Sequence, residues 1–374
     1  MKNSPSGIWK KSPTGYKAFI PNPLPPEIKW SRELVHALSD ADRLIGKLAG
    51  EGRRLPNPHL LMRPFLAKEA VLSSKIEGTQ ATLGELLASE AGAVVERSPD
   101  DLREVGNYVT AMEHGVKLLK KLPISLRFVR ELHGKLMHKV RGELATPGEF
   151  RRTQNWIGVP GSTIMTASYV PPSPDDLMDC LGEWEKFLHD KTLPPLVQIA
   201  LAHYQFEAIH PFLDGNGRVG RLLIILMLMD RGILPTPLLY ISAFFENHRR
   251  DYYDRLNGIS MQGEWDQWLL YFLNGIARQS EDASKRAEKI NTLVDEWKTM
   301  VAAESSPVPL QLVEMLSQNP YLTINKASKE LKVAFTTVQR AIGKLEKYGI
   351  VIENTGGKRE RVYCAKKLLD VLEA

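Results

Sequence analysis

The segment 210–221, His-Pro-Phe-Leu-Asp-Gly-Asn-Gly-Arg-Val-Gly-Arg, restricts this chain more than any other. A helix with apolar residues at helical spacing runs into His210, and Pro211 stops it. A tight loop with Gly215 and Gly217 follows, and a strongly apolar helix leaves from Arg218. The two glycines permit positive φ and close backbone approach, so successive N–H groups can converge on an anion. The loop lies at the next helix's N-terminus, where free N–H groups and the helix dipole favour phosphate. Asn216 adds a neutral donor, and Arg218 and Arg221, three apart, face the same side of the first turn. Asp214 is a hard oxygen ligand, suited to one edge of a Mg²⁺ that a phosphate completes. His210 is the neighbouring group whose ordinary pKa suits general-base work near neutral pH. A phosphate cradle, a metal ligand, cations and a base in one short segment describe a phosphoryl or nucleotidyl transfer site. An ordinary helix–turn–helix with a solvated Asp/Arg cluster needs far fewer complementary positions.

Around this segment the pattern is helical. Periodicity begins near Ser31 and recurs over 34–48, 60–72, 85–95, 102–119 and 126–140. It resumes over 175–188, over 196–209, from Arg218, and over 282–304, where Ile290, Leu293, Trp297 and Met300 follow helical spacing. The opening through Ile28 reads as an extended arm, because Pro21, Pro23, Pro25 and Pro26 exclude a helix. Residues 147–174 carry Gly148, Gly158, Gly161 and Val170-Pro171-Pro172 and predict a short hairpin or loop. Ser305-Ser306-Pro307-Val308-Pro309 reads as a linker. At roughly 150 residues per domain, the chain has room for two or three. The expected division is an N-terminal helical region over 1–110, a catalytic helical domain over 111–290, and a C-terminal module over 305–374.

Composition enters through what it excludes. Cys180 and Cys364 cannot build a disulfide framework, and no Cys, His or carboxylate set has zinc-site spacing. Residues 1–16 are polar and basic, without the apolar core of a signal peptide. The longest apolar run, 222–229, falls short of the roughly 20 residues that span a bilayer. The expectation is a soluble, cytoplasmic protein with no membrane partner. Of the net charge of +5, residues 305–374 carry a surplus of four, with eleven Lys and Arg against seven Asp and Glu. That asymmetry points to a separate module with an acidic partner, nucleic acid being the usual one.

At every signature position the 210–221 segment resembles the motif H-P-F-x-D/E-G-N-G-R-x-x-R of Fic-domain proteins, which transfer AMP from ATP to a protein hydroxyl. The resemblance implies His210 as base for a Ser, Thr or Tyr hydroxyl of a target protein or of the chain itself. It implies Asp214 as ligand of Mg²⁺, with Mn²⁺ as a substitute, and Gly215, Asn216, Gly217, Arg218 and Arg221 as the phosphate site of ATP. Ser73-Ser74-Lys75-Ile76-Glu77-Gly78 is similar to the family's inhibitory motif S/T-x-x-x-E-G/N. Ser73 and Glu77, four apart, share a helix face that Gly78 ends. In such relatives the glutamate pairs with the motif's second arginine, here Arg221, and displaces the γ-phosphate of ATP. Thr166, Ala167, Ser168, Tyr169 and Val170 fall where the family places a flap hairpin that registers the target's main chain by strand addition; their composition also fits a plain surface loop. Residues 148–151 and 156–158 resemble the family's approach to that flap. Tyr252 and Tyr253 stand where relatives supply an aromatic ring to adenine, with the choice between them open. His203 reads as a buried, hydrogen-bonded neighbour on the His210 helix.

Beyond the linker the pattern changes. A helix over 310–317, the breaker Asn319-Pro320, a helix over 325–331 capped by Thr323, and a helix over 337–348 opened by Thr336 are followed by strands at 350–353 and 361–364. This order resembles a winged helix-turn-helix domain. Thr336, Thr337, Gln339, Arg340 and Lys344 offer donors to phosphates and base edges, and Lys358-Arg359-Glu360-Arg361 form a basic wing. Duplex DNA is the expected partner, and a protein contact is the other use of such domains.

The resulting expectation is a mainly α protein: a Fic-type helical bundle with a short β-hairpin flap, an N-terminal region holding the inhibitory motif at 73–78, and a C-terminal winged helix. The expected activity is ATP- and Mg²⁺-dependent AMP transfer held down by Glu77. Two other readings stand beside it: a Fic enzyme that uses another phosphate-containing donor or removes AMP, and a transcription regulator whose Fic part senses nucleotide. A glutamate that contests the γ-phosphate favours ATP, and intact His210 and Asp214 favour chemistry over sensing. A homodimer stays open.

Overall fold

The computed structural model describes residues 3–54, 58–140, 146–159, 161–355 and 361–374. The prolines near the N-terminus do exclude a helix, but the segment is not a free arm. Strands β1 (Asn3–Ser4), β2 (Gly7–Lys11) and β3 (Lys17–Pro21) form an antiparallel sheet in that order. Trp9 lies opposite Phe19, their rings 5.0 Å apart, and Phe19 is fully buried. An extended backbone has unpaired N–H and C=O groups, and pairing them while burying Phe19 outweighs leaving the arm in solvent.

The body is helical: α1 (Arg32–Arg54), α2 (Pro58–Ile76), α3 (Leu83–Glu90), α4 (Pro99–Leu118), α5 (Leu126–Leu136), α6 (Pro174–Leu188), α7 (Pro195–Ile209), α8 (Asn216–Asp230), α9 (Ser242–Asn247), α10 (Arg249–Gln262) and α11 (Trp265–Val301). Helices α7 and α8 are apolar on nearly every face and occupy the centre, because only complete burial suits such a surface. Trp184 on α6 and Trp268 on α11 each donate an indole N–H to an α7 carbonyl, of Ala202 and Ala200. Local signals set several starts: Ser125 caps α5, Ser173 caps α6, and Thr82 with Glu85 forms a capping box on α3. The limits drawn at 110 and 290 fall inside α4 and α11.

The C-terminal part comprises α12 (Val308–Gln318), β4 (Tyr321–Thr323), α13 (Ile324–Leu331), α14 (Phe335–Lys347), β5 (Ile352–Glu353), β6 (Val362–Cys364) and α15 (Lys366–Glu373), with sheet order β4-β6-β5. Thr323 caps α13 as expected. Helix α14 instead opens from Ala334, and Thr336 lies within its first turn. Residues 305–309 do not separate the module from the body. Val308 and Pro309 are buried, and α12 packs on α2 and α11. Asn319 donates to the Leu87 carbonyl, Lys326 to that of Glu90, and Lys68 of α2 to that of Leu372. No helix among the described residues is long and apolar enough to cross a membrane.

Candidate active site

His210 is the C-cap of α7, in a left-handed conformation (φ 50°, ψ 62°) that a non-glycine residue holds only when its surroundings fix it. Those surroundings are explicit. Buried Arg151 donates from Nε to the His210 carbonyl at 2.9 Å and from Nη2 to Pro172 at 2.6 Å, while its own N–H bonds to Pro211. Burial pushes the Arg151 pKa down to about 10, still charged at neutral pH. Asn155 donates to the Phe212 carbonyl at 2.8 Å. The His210 ring places Nδ1 3.3 Å from the Glu207 carbonyl, which can only accept, so Nδ1 carries the proton and Nε2 keeps a lone pair. Burial pushes the His210 pKa down to about 4, so the ring is neutral across the physiological range.

Helix α8 begins at Asn216 behind Gly215, which has φ +77° and provides no side-chain cap. Its first-turn N–H groups therefore face the loop. The side chain of Asn216 closes the loop, accepting from Phe212 N–H and donating to Phe212 C=O, both at 2.8 Å. An amide engaged at both ends in this way shapes the loop. Arg218 is buried, 3.6 Å from both Glu104 and Asp214, and its Nε and Nη1 make no hydrogen bond among the described residues. Buried guanidinium N–H groups without acceptors suit an incoming anion.

Asp214 has a side chain 56% exposed, with Oδ1 accepting from Gly215 N–H at 2.6 Å. No group of three or more His, Cys, Asp and Glu able to hold a metal occurs among the described residues. A single accessible carboxylate beside a phosphate nest fits a Mg²⁺ bound through one protein ligand and substrate phosphates.

Helix α2 brings the other carboxylate. Arg221, 1% exposed, donates from Nη2 to Glu77 Oε1 at 2.6 Å and to the Ser73 carbonyl at 2.9 Å, and from Nε to Ser73 Oγ at 2.8 Å. Any Cβ at Gly217 would overlap Glu77 Oε1, so the carboxylate lies directly over the first turn of α8. Burial opposes its charge, yet Arg221, Arg218 and His210 together hold the Glu77 carboxyl below its usual range. Gly78, with φ +104°, turns the chain after Glu77. Glu69, one turn before Ser73, lies outside the motifs singled out in the sequence. It is buried, accepts from Ser242 N–H and Oγ–H and from Tyr108 OH, and so pins α2 to the body. Burial raises its pKa to about 7. The spacing Glu69–Ser73–Glu77 was the available signal.

A cleft of about 680 Å³ opens over these residues, lined among others by Glu77, Glu207, His210, Gly217, Arg221 and Tyr253. Tyr252 is 1% exposed, its OH 2.8 Å from His203 Nε2 and its ring stacked on Phe245, so it belongs mainly to the core. Tyr253 is 40% exposed and presents its ring to the cleft. Glu207, also passed over, has a buried Oε1 without a partner among the described residues; burial lifts its pKa to about 7.

Among the described residues, the flap is held by one antiparallel bridge, between Ile157 and Tyr169. Thr166 and Ser168 are exposed and Ala167 half-buried. Tyr169 OH bonds to the Ala208 carbonyl at 2.7 Å, and buried Val170 accepts from Phe19 N–H at 2.9 Å. Val170 is thus already paired with β3 and is not an open strand edge.

On α14, Thr336, Thr337, Gln339 and Arg340 are exposed. Lys344 is paired with Glu304, and Lys358 and Arg359 lie outside the described residues.

Comparison with known proteins agrees with this architecture. The Fic/DOC family N-terminal model matches residues 35–117, the Fic/DOC family model residues 123–228, and a DeoR-like helix-turn-helix model residues 310–360. The protein adenylyltransferase Fic of Drosophila yakuba is 36% identical over 166 residues, 43% of this chain and 31% of that protein. Its Drosophila melanogaster counterpart is 35% identical over the same length. The chain thus spans about a third of the length of these relatives. A Fic family protein from Desulfovibrio desulfuricans shares the fold, with a TM-score of 0.61 at 19% identity over 91% of this chain and 98% of that one. Fic-1 from C. elegans gives 0.52 at 26% identity, over 69% and 74%. With both Fic/DOC models matched in order and the motif built into the α7–α8 loop, the chain belongs to the Fic/DOC family, with a helix-turn-helix domain at its C-terminal end.

Proposed function

We propose that the chain is a protein adenylyltransferase that moves AMP from ATP to a Ser, Thr or Tyr hydroxyl, and that Glu77 holds it in a low-activity state. The first-turn N–H groups of α8, with Arg218 and Arg221, bind the phosphates, and Tyr253 offers its ring to adenine. Asp214 would hold Mg²⁺, which would supply positive charge to the phosphates. The target hydroxyl approaches along the exposed part of the flap. His210 Nε2 takes the hydroxyl proton as the oxygen bonds to the α-phosphorus. The bond from that phosphorus to the bridging oxygen breaks, and pyrophosphate leaves. Keeping Nδ1–H on the Glu207 carbonyl fixes the tautomer this step requires.

The observation that carries the reading is the 2.6 Å pair between Glu77 and Arg221 above Gly217. A carboxylate on the cation meant for a terminal phosphate forces the triphosphate to bind turned, and misplacing the reacting phosphorus by about 1 Å costs around 10²-fold in rate. A contested γ-phosphate calls for a triphosphate donor, and among the phosphate-containing donors that favours ATP. Incubating Glu77→Gly with α-labelled ATP and cell lysate should label protein strongly where the wild type labels little, and equal faint labelling would defeat the reading.

The C-terminal module is assigned to duplex DNA, on the exposed Thr336, Thr337, Gln339 and Arg340 of α14. Gel shifts with genomic fragments at low salt test this assignment; an absence of any shift would leave protein contact as the module's use.

A further inference from the structure

His133 lies on α5, outside the 210–221 motif and 77 positions before His210, yet it is built into the underside of the catalytic loop. It is fully buried, and its ring stacks on Phe212 with centroids 3.7 Å apart and planes 7° from parallel. Nδ1 accepts the Gly148 N–H at 2.8 Å, so that nitrogen carries no proton. Nε2 lies 3.1 Å from the Asp214 carbonyl, which only accepts, so this nitrogen is the donor. The two partners fix one tautomer. Gly148 meets the ring only because it holds φ +82°, and Arg130 ties its carbonyl at 2.8 Å. One turn on, Met137 faces Gly215 and accepts from Arg218 at 3.6 Å, so the inner face of α5 is a bed for the loop.

We infer that His133 is a positioning residue: its imidazole clamps the Asp214 carbonyl to the start of the flap approach and thereby sets the aim of the Asp214 carboxylate and the Gly215 N–H. It touches neither of the expected substrates. Its effect on rate rests on the adenylyltransferase reading, whereas its effect on the loop does not.

The two ring nitrogens allow a separation that simple removal does not. In the Glu77→Gly chain, His133→Gln keeps an amide nitrogen near the Nε2 position, His133→Asn keeps an amide oxygen near Nδ1, and His133→Phe keeps the stacking and loses both bonds. AMP transfer, its Mg²⁺ dependence, ATP binding in EDTA, thermal midpoint and amide exchange of the peptides covering 211–216 are compared. His133→Phe and His133→Asn should each lower kcat by about tenfold or more and raise half-saturating Mg²⁺ several-fold. ATP affinity in EDTA should change less than about twofold. His133→Gln should stay within about threefold of its parent in rate and retain loop protection that the other two lose. If His133→Phe does not fold, the Gln and Asn variants still decide the matter. Equal behaviour of Gln and Asn, or losses that follow the thermal midpoint alone, would overturn the inference. Should the parent transfer no AMP, the adenylyltransferase reading fails by itself, and amide exchange still tests the clamp.

Discussion

Two helices in this chain present arginines near their heads, and they do so in opposite ways. At the head of α8, Arg218 and Arg221 are 4% and 1% exposed and are held by Met137, Ser73 and Glu77. At the head of α14, Thr336, Thr337 and Arg340 are exposed. Burying a guanidinium is costly unless its donors are matched, so the proposed α8 site suits one small anion in one pose. An exposed guanidinium is already hydrated and screened, and it gains from a long polyanion mainly by releasing counterions. On the proposed function, the same residue type would act through geometry in one region and through charge number in the other.

The sharpest test of the buried region is His210→Ala, for which AMP transfer should fall by about 10²–10⁴-fold with ATP affinity nearly unchanged. Parallel loss of ATP binding would mean that His210 maintains the loop and does not act as base. Next in size, Glu77→Gly should raise transfer by about 10²-fold, and Arg221→Ala should reverse the gain. In a double-mutant cycle the two should be non-additive, because both act on one phosphate position. Asp214→Asn should shift the Mg²⁺ titration of transfer upward by about tenfold while leaving metal-free ATP binding in place.

On the exposed helix the expected effects are smaller. Arg340→Ala should reduce the slope of log affinity for DNA against log salt by about 0.9, uniformly across sequences if it meets phosphate. Lys344→Ala should do less, since Lys344 already has Glu304 as a partner. The reverse order would assign the contact to the paired lysine. Smallest is a pH effect. Because burial holds His210 near 4, transfer by Glu77→Gly should keep its rate below pH 6.5 and decline only as the pH approaches about 4 to 5. A half-loss near 6.5 would indicate an ordinary, solvated imidazole.

Much of this architecture was legible because helices announce themselves locally. The apolar spacing of α7 and α8, the break at Pro211 and the Ser and Thr caps are all properties of neighbouring residues. The sheet of β1–β3 was not, since strands this short are defined by partners elsewhere, including Val170. Helix α15 carries its signal in the helical spacing of Leu368, Leu369 and Leu372. Within the site, residue types set the chemistry expected of His210, Asp214 and the arginines. Burial and partners decided the rest. Asn216 turned to its own loop, Tyr252 to His203, and Glu207 was left facing the cleft. Arg151 was visible only as part of a similar segment, because what it caps lies 58 to 60 positions later.

The central claim is that Glu77 occupies, on Arg221, the place of the γ-phosphate. Calorimetric affinities for ATP and ADP, in the wild type and in Glu77→Gly, test it without relying on any target protein. Wild type should bind the two nucleotides almost equally, because the third phosphate finds its cation taken. Glu77→Gly should prefer ATP by about tenfold, roughly one charge-assisted contact, and adding Arg221→Ala should abolish the preference. An identical ATP-to-ADP ratio in wild type and Glu77→Gly would contradict the account.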